Sequence, residues 1–161
     1  MYVYIITAIF AAAVAAASLL KNLKVISYIN IFGMLLLSLL SIVIGVDITQ
    51  NNTIYYLGNS VYIDSLSEIQ LIIITTVSFI TAIYSHKYIG DEYRENLISL
   101  RKARMYFVLF QIFVLSMIFL SLSNNIMGMW IGLEATTLST AFLIGFNNSK
   151  LSLEAAWKYI I

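Results

Sequence analysis

The chain has 161 residues, 61% of them hydrophobic and 11% charged, with a net charge of +1 and a mean hydropathy of +0.91. That balance lies outside the range of water-soluble domains, and so small a net charge gives no reason to invoke nucleic acid. Cysteine is absent, so there is no disulfide framework, thiolate metal site or cysteine-ligated iron–sulfur cluster; no cofactor is expected, and any electron transfer belongs to a partner.

In lipid the backbone must satisfy its own hydrogen bonds, so long apolar runs read as helices. The first runs from Tyr2 to Leu20. Ala13, Ala15 and Ala17 imitate a signal-peptide cleavage site, but no positive charge precedes the run and Lys21 and Lys24 follow it. A permanent helix is the expectation. A second span covers 25–46 and is followed by Ile54-Tyr-Tyr-Leu-Gly-Asn-Ser-Val-Tyr-Ile63. Two β-prone stretches around Gly58-Asn59 predict a small hairpin.

The third span, 65–85, opens with Ser65-Leu-Ser-Glu68, the spacing of a capping box, which gives Asp64 and Glu68 a capping or interfacial role at the membrane edge. His86, the only histidine, sits at its far boundary. It is a weak candidate for proton uptake, with an exposed boundary side chain as the simpler reading. The connection from Lys87 to Arg104 mixes both signs of charge with Leu97, Ile98 and Leu100, and reads as a solvated or interfacial helix.

The fourth and fifth spans, 105–123 and 126–146, are each close to the ~20 residues a bilayer requires. Gly128-x-x-x-Gly132, Thr136 and Thr140 would let a neighbouring helix pack closely. Trp130, Trp157 and the methionines read as contact surface. After Lys150 a sixth helix starts at Leu151 and reaches Ile161. Eleven residues cannot cross ~30 Å at ~1.5 Å each. The expected fold is all-α: one transmembrane domain over 1–161, with five full spans, the start of a sixth and a small outer hairpin, the front part of a longer protein.

Lys and Arg fix the orientation: two follow span one, five lie between Lys87 and Arg104, and Lys150 follows span five, against none in the other two connections. The positive-inside rule then places the amino terminus outside a multi-pass protein of the cell membrane.

Glu134 lies eight residues into the fifth span with twelve residues after it, near mid-bilayer. A charge there costs roughly 2.5–3.5 kcal/mol on insertion scales. Desolvation disfavours the ionised form and brings protonation within reach of neutral pH, the property a proton relay needs. The alternative is a hydrogen-bonded clamp to Thr137 or a neighbouring helix. Lys158 is a second candidate; it can pair with Glu154 at i, i+4, or simply snorkel to the membrane edge.

Asn125-Ile-Met-Gly-Met-Trp-Ile-Gly-Leu-Glu134-Ala-Thr-Thr-Leu-Ser-Thr-Ala-Phe-Leu-Ile-Gly-Phe146 and Ser152-Leu-Glu-Ala-Ala-Trp-Lys158-Tyr-Ile resemble the antiporter-like proton-pumping subunits of complex I and membrane-bound hydrogenases. The Gly-Leu-Glu-Ala-Thr-Thr-Leu variant is most similar to hydrogenase-4 component F. Tyr62-Ile-Asp-Ser-Leu-Ser67 and Tyr84-Ser-His-Lys-Tyr-Ile89 resemble the flanks of the family's third helix. The resemblance implies a proton-translocating, non-redox subunit of a redox-driven complex, with no catalytic turnover of its own. Its partners would be other membrane subunits, the lipid bilayer and protons.

It further implies that Glu134 matches the glutamate implicated in ion translocation, and Lys158 a lysine early in the sixth helix. Family members continue to about fourteen helices in two inverted five-helix repeats, including a seventh-helix lysine that this chain does not reach. A subunit of a cation/proton antiporter, which shares the motif, and a structural or assembly membrane protein are the other readings.

Overall fold

A computed structural model describes residues 2–20, 22–51, 53–56, 60–147 and 149–161. Six helices follow one another: α1 (Tyr2–Leu19), α2 (Leu23–Asn51), α3 (Ser65–Arg94), α4 (Leu100–Leu122), α5 (Ile126–Ile144) and α6 (Lys150–Ile160). A 3-10 turn, Gly145–Asn147, joins the last two. Between α2 and α3, β1 (Ile54–Tyr56) pairs antiparallel with β2 (Val61–Ile63), Tyr55 opposite Tyr62. The Gly58-Asn59 turn expected between the strands lies outside the described residues.

Among the described residues four helices are long and apolar enough to cross a bilayer: Leu23–Thr49, Ser65–Arg94, Leu100–Leu122 and Ile126–Ile144. The remaining span expected from the sequence, the first, corresponds to α1, an 18-residue helix.

Two expectations about α3 are corrected. Its N-cap is Asp64, whose carboxylate accepts from the Ser67 amide at 2.8 Å. The third residue of the first turn is therefore Ser67, and Glu68, one place further on, turns into the bundle instead of closing a capping box with Ser65. At its other end α3 runs past Ser85 through Lys87 and Asp91 to Arg94. The connection to α4 is only residues 95–99, not an independent interfacial helix.

What stops α3 is a residue conformation, not a change in hydropathy. Asn96 has φ 58°, the left-handed region that asparagine tolerates better than branched residues. Its amide bonds the Tyr93 carbonyl and the Leu97 amide bonds the Glu92 carbonyl, which satisfies two of the last free carbonyls in a Schellman motif. Ser99 then caps α4 through the Lys102 amide.

The core has two parts. Near the hairpin, Ile6 and Phe10 of α1, Met34, Leu37 and Ile44 of α2, Leu71 of α3, Val114 and Ile118 of α4 and Ile63 of β2 pack together. At the opposite end, Ala17, Ile26, Ile89, Ile98, Phe107 and Phe146 bring α1 to α4 together with the 3-10 turn that follows α5. Ile98 is buried while Leu97 is exposed, so one residue of the α3–α4 connection anchors it. The hairpin is tied to the α4–α5 junction by an isolated pairing of Val61 with Ser123 and by Asn124 N–H donating to the Ser60 carbonyl.

Buried positions of α3 fall at 67, 68, 71, 75, 78, 82, 85 and 89. From Glu68 onward the spacing alternates three and four, the seam of two helices packed at a shallow angle. Small residues at Thr75, Ser78, Ala82 and Ser85 let the neighbouring backbones approach.

Candidate functional site

Helix α5 begins at Asn125, whose side chain caps the Met127 amide at 2.8 Å. It meets α4 along its glycines. A Cβ on Gly128 would collide with Ser123 Oγ, and one on Gly132 would lie 3.1 Å from Leu120 Cα. The small-residue spacing is thus a packing device, as its pattern suggests. Gly132, Ser139 and Ala141 are the buried positions of this helix.

Glu134 is two residues beyond Gly132, about 200° further round the helix, and lies on the exposed side of α5 with Trp130, Ile131, Leu133 and Leu138. Eight residues from the helix start place it roughly 12 Å along the axis. Among the described residues no hydrogen bond or ion pair holds its carboxylate. The hydroxyls that would clamp it are engaged elsewhere: Thr136 and Thr137 both donate to the Leu133 carbonyl, at 2.7 and 3.0 Å. Hydroxyls returned to their own helix satisfy themselves without fixing a neighbour, so the Thr137 clamp is not formed.

Helix α6 starts with a Ser149–Ser152 capping box and packs Ala156 near Gly145. Lys158 Nζ donates to Glu154 Oε1 at 2.7 Å, on an exposed face. The i, i+4 pair expected from the sequence is present, and Lys158 is not joined to Glu134 by an ion pair.

His86 is not a bare boundary residue, because α3 continues two turns past it. It is half-buried; its Nδ1 lies 2.8 Å from Ser27 Oγ and its ring 4.9 Å from that of Tyr28. It lines a cleft of about 930 Å³ with Lys24, Ser27, Lys87, Asp91 and Arg94.

Sequence reasoning assigned Glu68 to the membrane edge and missed its burial. The side chain is 5% exposed, and both carboxylate oxygens are buried without a hydrogen-bond partner. It faces α2, where a Cβ on Gly45 would stand 3.1 Å from Glu68 Oε1. Further polar contacts tie α2, α3 and α4 together. Thr75 Oγ1 meets Ser41 Oγ at 3.1 Å, Gln111 donates to Asn30, Ser85 Oγ meets Tyr106 Oη at 2.7 Å, and then come Ser27 and His86. The α3 members of this set, from Glu68 to Ser85, extend roughly 25 Å along the helix, most of a bilayer core. The signal was available: Glu68 belongs to the same three-four stripe as Leu71, Thr75, Ala82 and Ser85.

Residues 54–96, the hairpin and α3, match the family described as NADH-ubiquinone oxidoreductase (complex I), chain 5 N-terminus. The chain is 34% identical over 104 residues to a hydrogenase-4 component F homolog of Methylacidiphilum infernorum (isolate V4), covering 65% of this chain and 22% of that protein. It is 34% identical over 94 residues to NADH-quinone oxidoreductase subunit L of Rhodobacter capsulatus, covering 58% of this chain and 13% of that one. The fold is similar to a chain of the membrane-bound sulfane sulfur reductase, an archaeal respiratory membrane complex. The TM-score is 0.79 at 20% identity, over 99% of this chain and 32% of the other.

The chain thus spans about a fifth or less of the length of these curated relatives. Its similarity to complex I and hydrogenase-4 membrane components agrees with the resemblance carried by the fifth-helix motif, and with its apolar helices it describes a multi-pass membrane protein.

Proposed function

We propose that this chain belongs to a proton-translocating membrane subunit of a redox-driven complex of the NADH:quinone oxidoreductase or membrane-bound hydrogenase type. Glu134 is its proton-carrying residue and Lys158 a candidate partner. The observation that carries the reading is a carboxylate part-way along an apolar helix, free of any clamp, on a chain similar to subunits of such complexes. A charge at that depth costs several kcal/mol unless neutralised, so it persists where it is used.

In this reading Glu134 takes up and releases a proton as redox chemistry on a partner arm shifts nearby charge. A basic group supplied by further membrane segments sets its proton affinity. The exposed side of α5 meets those segments in the assembled complex, which removes Glu134 from lipid. Five spans, with α1 crossing in full and the hairpin at the outer surface, complete the arrangement.

Lys24, Lys87 and Arg94 line one cleft at the end opposite the hairpin, and the positive-inside rule makes that end cytoplasmic and the amino terminus external. Because the chain contains no cysteine, single cysteines introduced at Ser60 and at Glu95 report this directly by labelling from either side.

The functional test is proton translocation by the complete complex in vesicles. Glu134→Gln abolishes pumping while electron transfer by the partner arm continues, and Lys158→Gln reduces it. Full pumping by Glu134→Gln would leave the carboxylate without a transport role.

A further inference from the structure

Glu134 stands on an exposed helix face, yet the bundle contains a second carboxylate, Glu68, that is far more enclosed. Three acidic residues lie near the hairpin end, and two have donors. Tyr2 donates its hydroxyl to Asp47 at 3.1 Å, and the Ser67 amide donates to Asp64 at 2.8 Å. That amide holds the Asp64 carboxyl below the ordinary carboxylate range. Glu68 has neither a donor nor a cation.

The groups around Glu68 give an ionised form nothing to bind. On α2 the nearest titratable group in sequence is Asp47; on α3 it is Asp64, one turn back. Tyr2 of α1 and Tyr62 of β2 bring only phenols. The charged residues of α4, Arg101, Lys102 and Arg104, sit in its first turns at the opposite end of the bundle. An unpaired carboxylate enclosed in this way is strongly disfavoured as an anion, and a bound proton removes the charge. A metal ion fits less well, since it needs several oxygen ligands and no cluster of three or more acidic or metal-binding side chains exists among the described residues.

We propose that Glu68 is a proton-binding site in its own right, separate from Glu134, held neutral against Gly45 and exchanging its proton with the hairpin end of the bundle. The proposed exchange is with the hairpin end, where the turn before Glu68 borders a cleft. A cleft of about 610 Å³ beside the hairpin is lined by Tyr62, Asp64, Ser67, Gln70 and Ser121. A water takes up ~30 Å³ of liquid, so the cleft holds many. Three of its lining residues, Asp64, Leu66 and Ser67, belong to the turn that leads into Glu68.

Infrared spectra of the full polypeptide in membranes, as wild type, Glu68→Gln and Glu134→Gln, test this without depending on Glu134. At neutral pH the wild type shows a protonated-carboxyl band that is lost in Glu68→Gln, kept in Glu134→Gln and shifted by D₂O. Gly45→Ala, which pushes a methyl group toward Oε1, displaces the band without removing it and serves where Glu68→Gln fails to fold.

A protonated-carboxyl region unchanged by Glu68→Gln would overturn the proposal, as would a band untouched by D₂O or by Gly45→Ala. So would a carboxylate band that responds to sodium, which would make Glu68 a cation ligand.

Discussion

The α4–α5 seam positions the helix that carries Glu134, and its packing is measurable by adding one methyl group in two places. At Gly132 a Cβ would stand 3.1 Å from both Leu120 Cα and Leu120 Cβ and 3.2 Å from Leu120 N. Comfortable carbon contacts are about 3.5–4.0 Å, so α5 must withdraw by roughly half an ångström. Overpacking of this kind costs typically ~1–3 kcal/mol. Replacing glycine by alanine within a helix returns up to ~1 kcal/mol.

Gly132→Ala is therefore expected to destabilise by about 0–2 kcal/mol. At Gly90, in α3, an added Cβ meets nothing within 4 Å, so Gly90→Ala shows the propensity gain alone and stabilises by up to ~1 kcal/mol. Equilibrium unfolding of both variants in bicelles isolates the seam as their difference, about 1–3 kcal/mol. Equal stabilisation by the two substitutions would refute the close approach of α4 and α5.

Other outcomes follow from named contacts. Asp64→Ala removes the α3 cap and costs ~0.5–2 kcal/mol at neutral pH. Because the folded carboxyl is held below its ordinary value of 3.8, its stabilisation is complete above that pH and disappears as the pH falls through the lowered value. Unfolding of wild type and variant should converge in strong acid, and a gap that persists there would exclude the cap as its source. Gln111→Leu leaves Asn30 buried without its partner and costs ~1–3 kcal/mol, whereas the double change with Asn30→Leu recovers most of it; a double-mutant cycle in bicelles measures the coupling. Lys158→Gln changes stability by no more than ~0.5 kcal/mol, since its pair with Glu154 is exposed.

Much of this organisation is legible in the residues. The end of α4 and the start of α5 follow their apolar runs, and the glycine spacing marks a close-packing surface on α5, whereas α4 begins five residues before its expected start, at Leu100, and takes in Arg101, Lys102 and Arg104. Two things are not legible from hydropathy. Helix α3 outlasts its apolar stretch because Lys87, Asp91 and Arg94 are at home in a helix that has left the membrane core; only the left-handed Asn96 ends it.

Glu68 was misplaced because Ser65-Leu-Ser-Glu68 satisfies a local capping pattern, whereas Asp64 takes the cap and moves the box by one residue. A one-residue shift turns a helical side chain by ~100°, enough to carry this one from the edge into the α2–α3 seam. Glu134, by contrast, stands where its spacing places it, at mid-helix and on the face turned away from α4.

Redox-triggered infrared difference spectroscopy of the assembled complex, comparing wild type with Glu134→Gln, tests the central claim most directly. A carboxyl band that appears and disappears with turnover in the wild type and is missing in Glu134→Gln is the predicted result. A glutamate that keeps one protonation state throughout turnover would contradict proton carriage by Glu134.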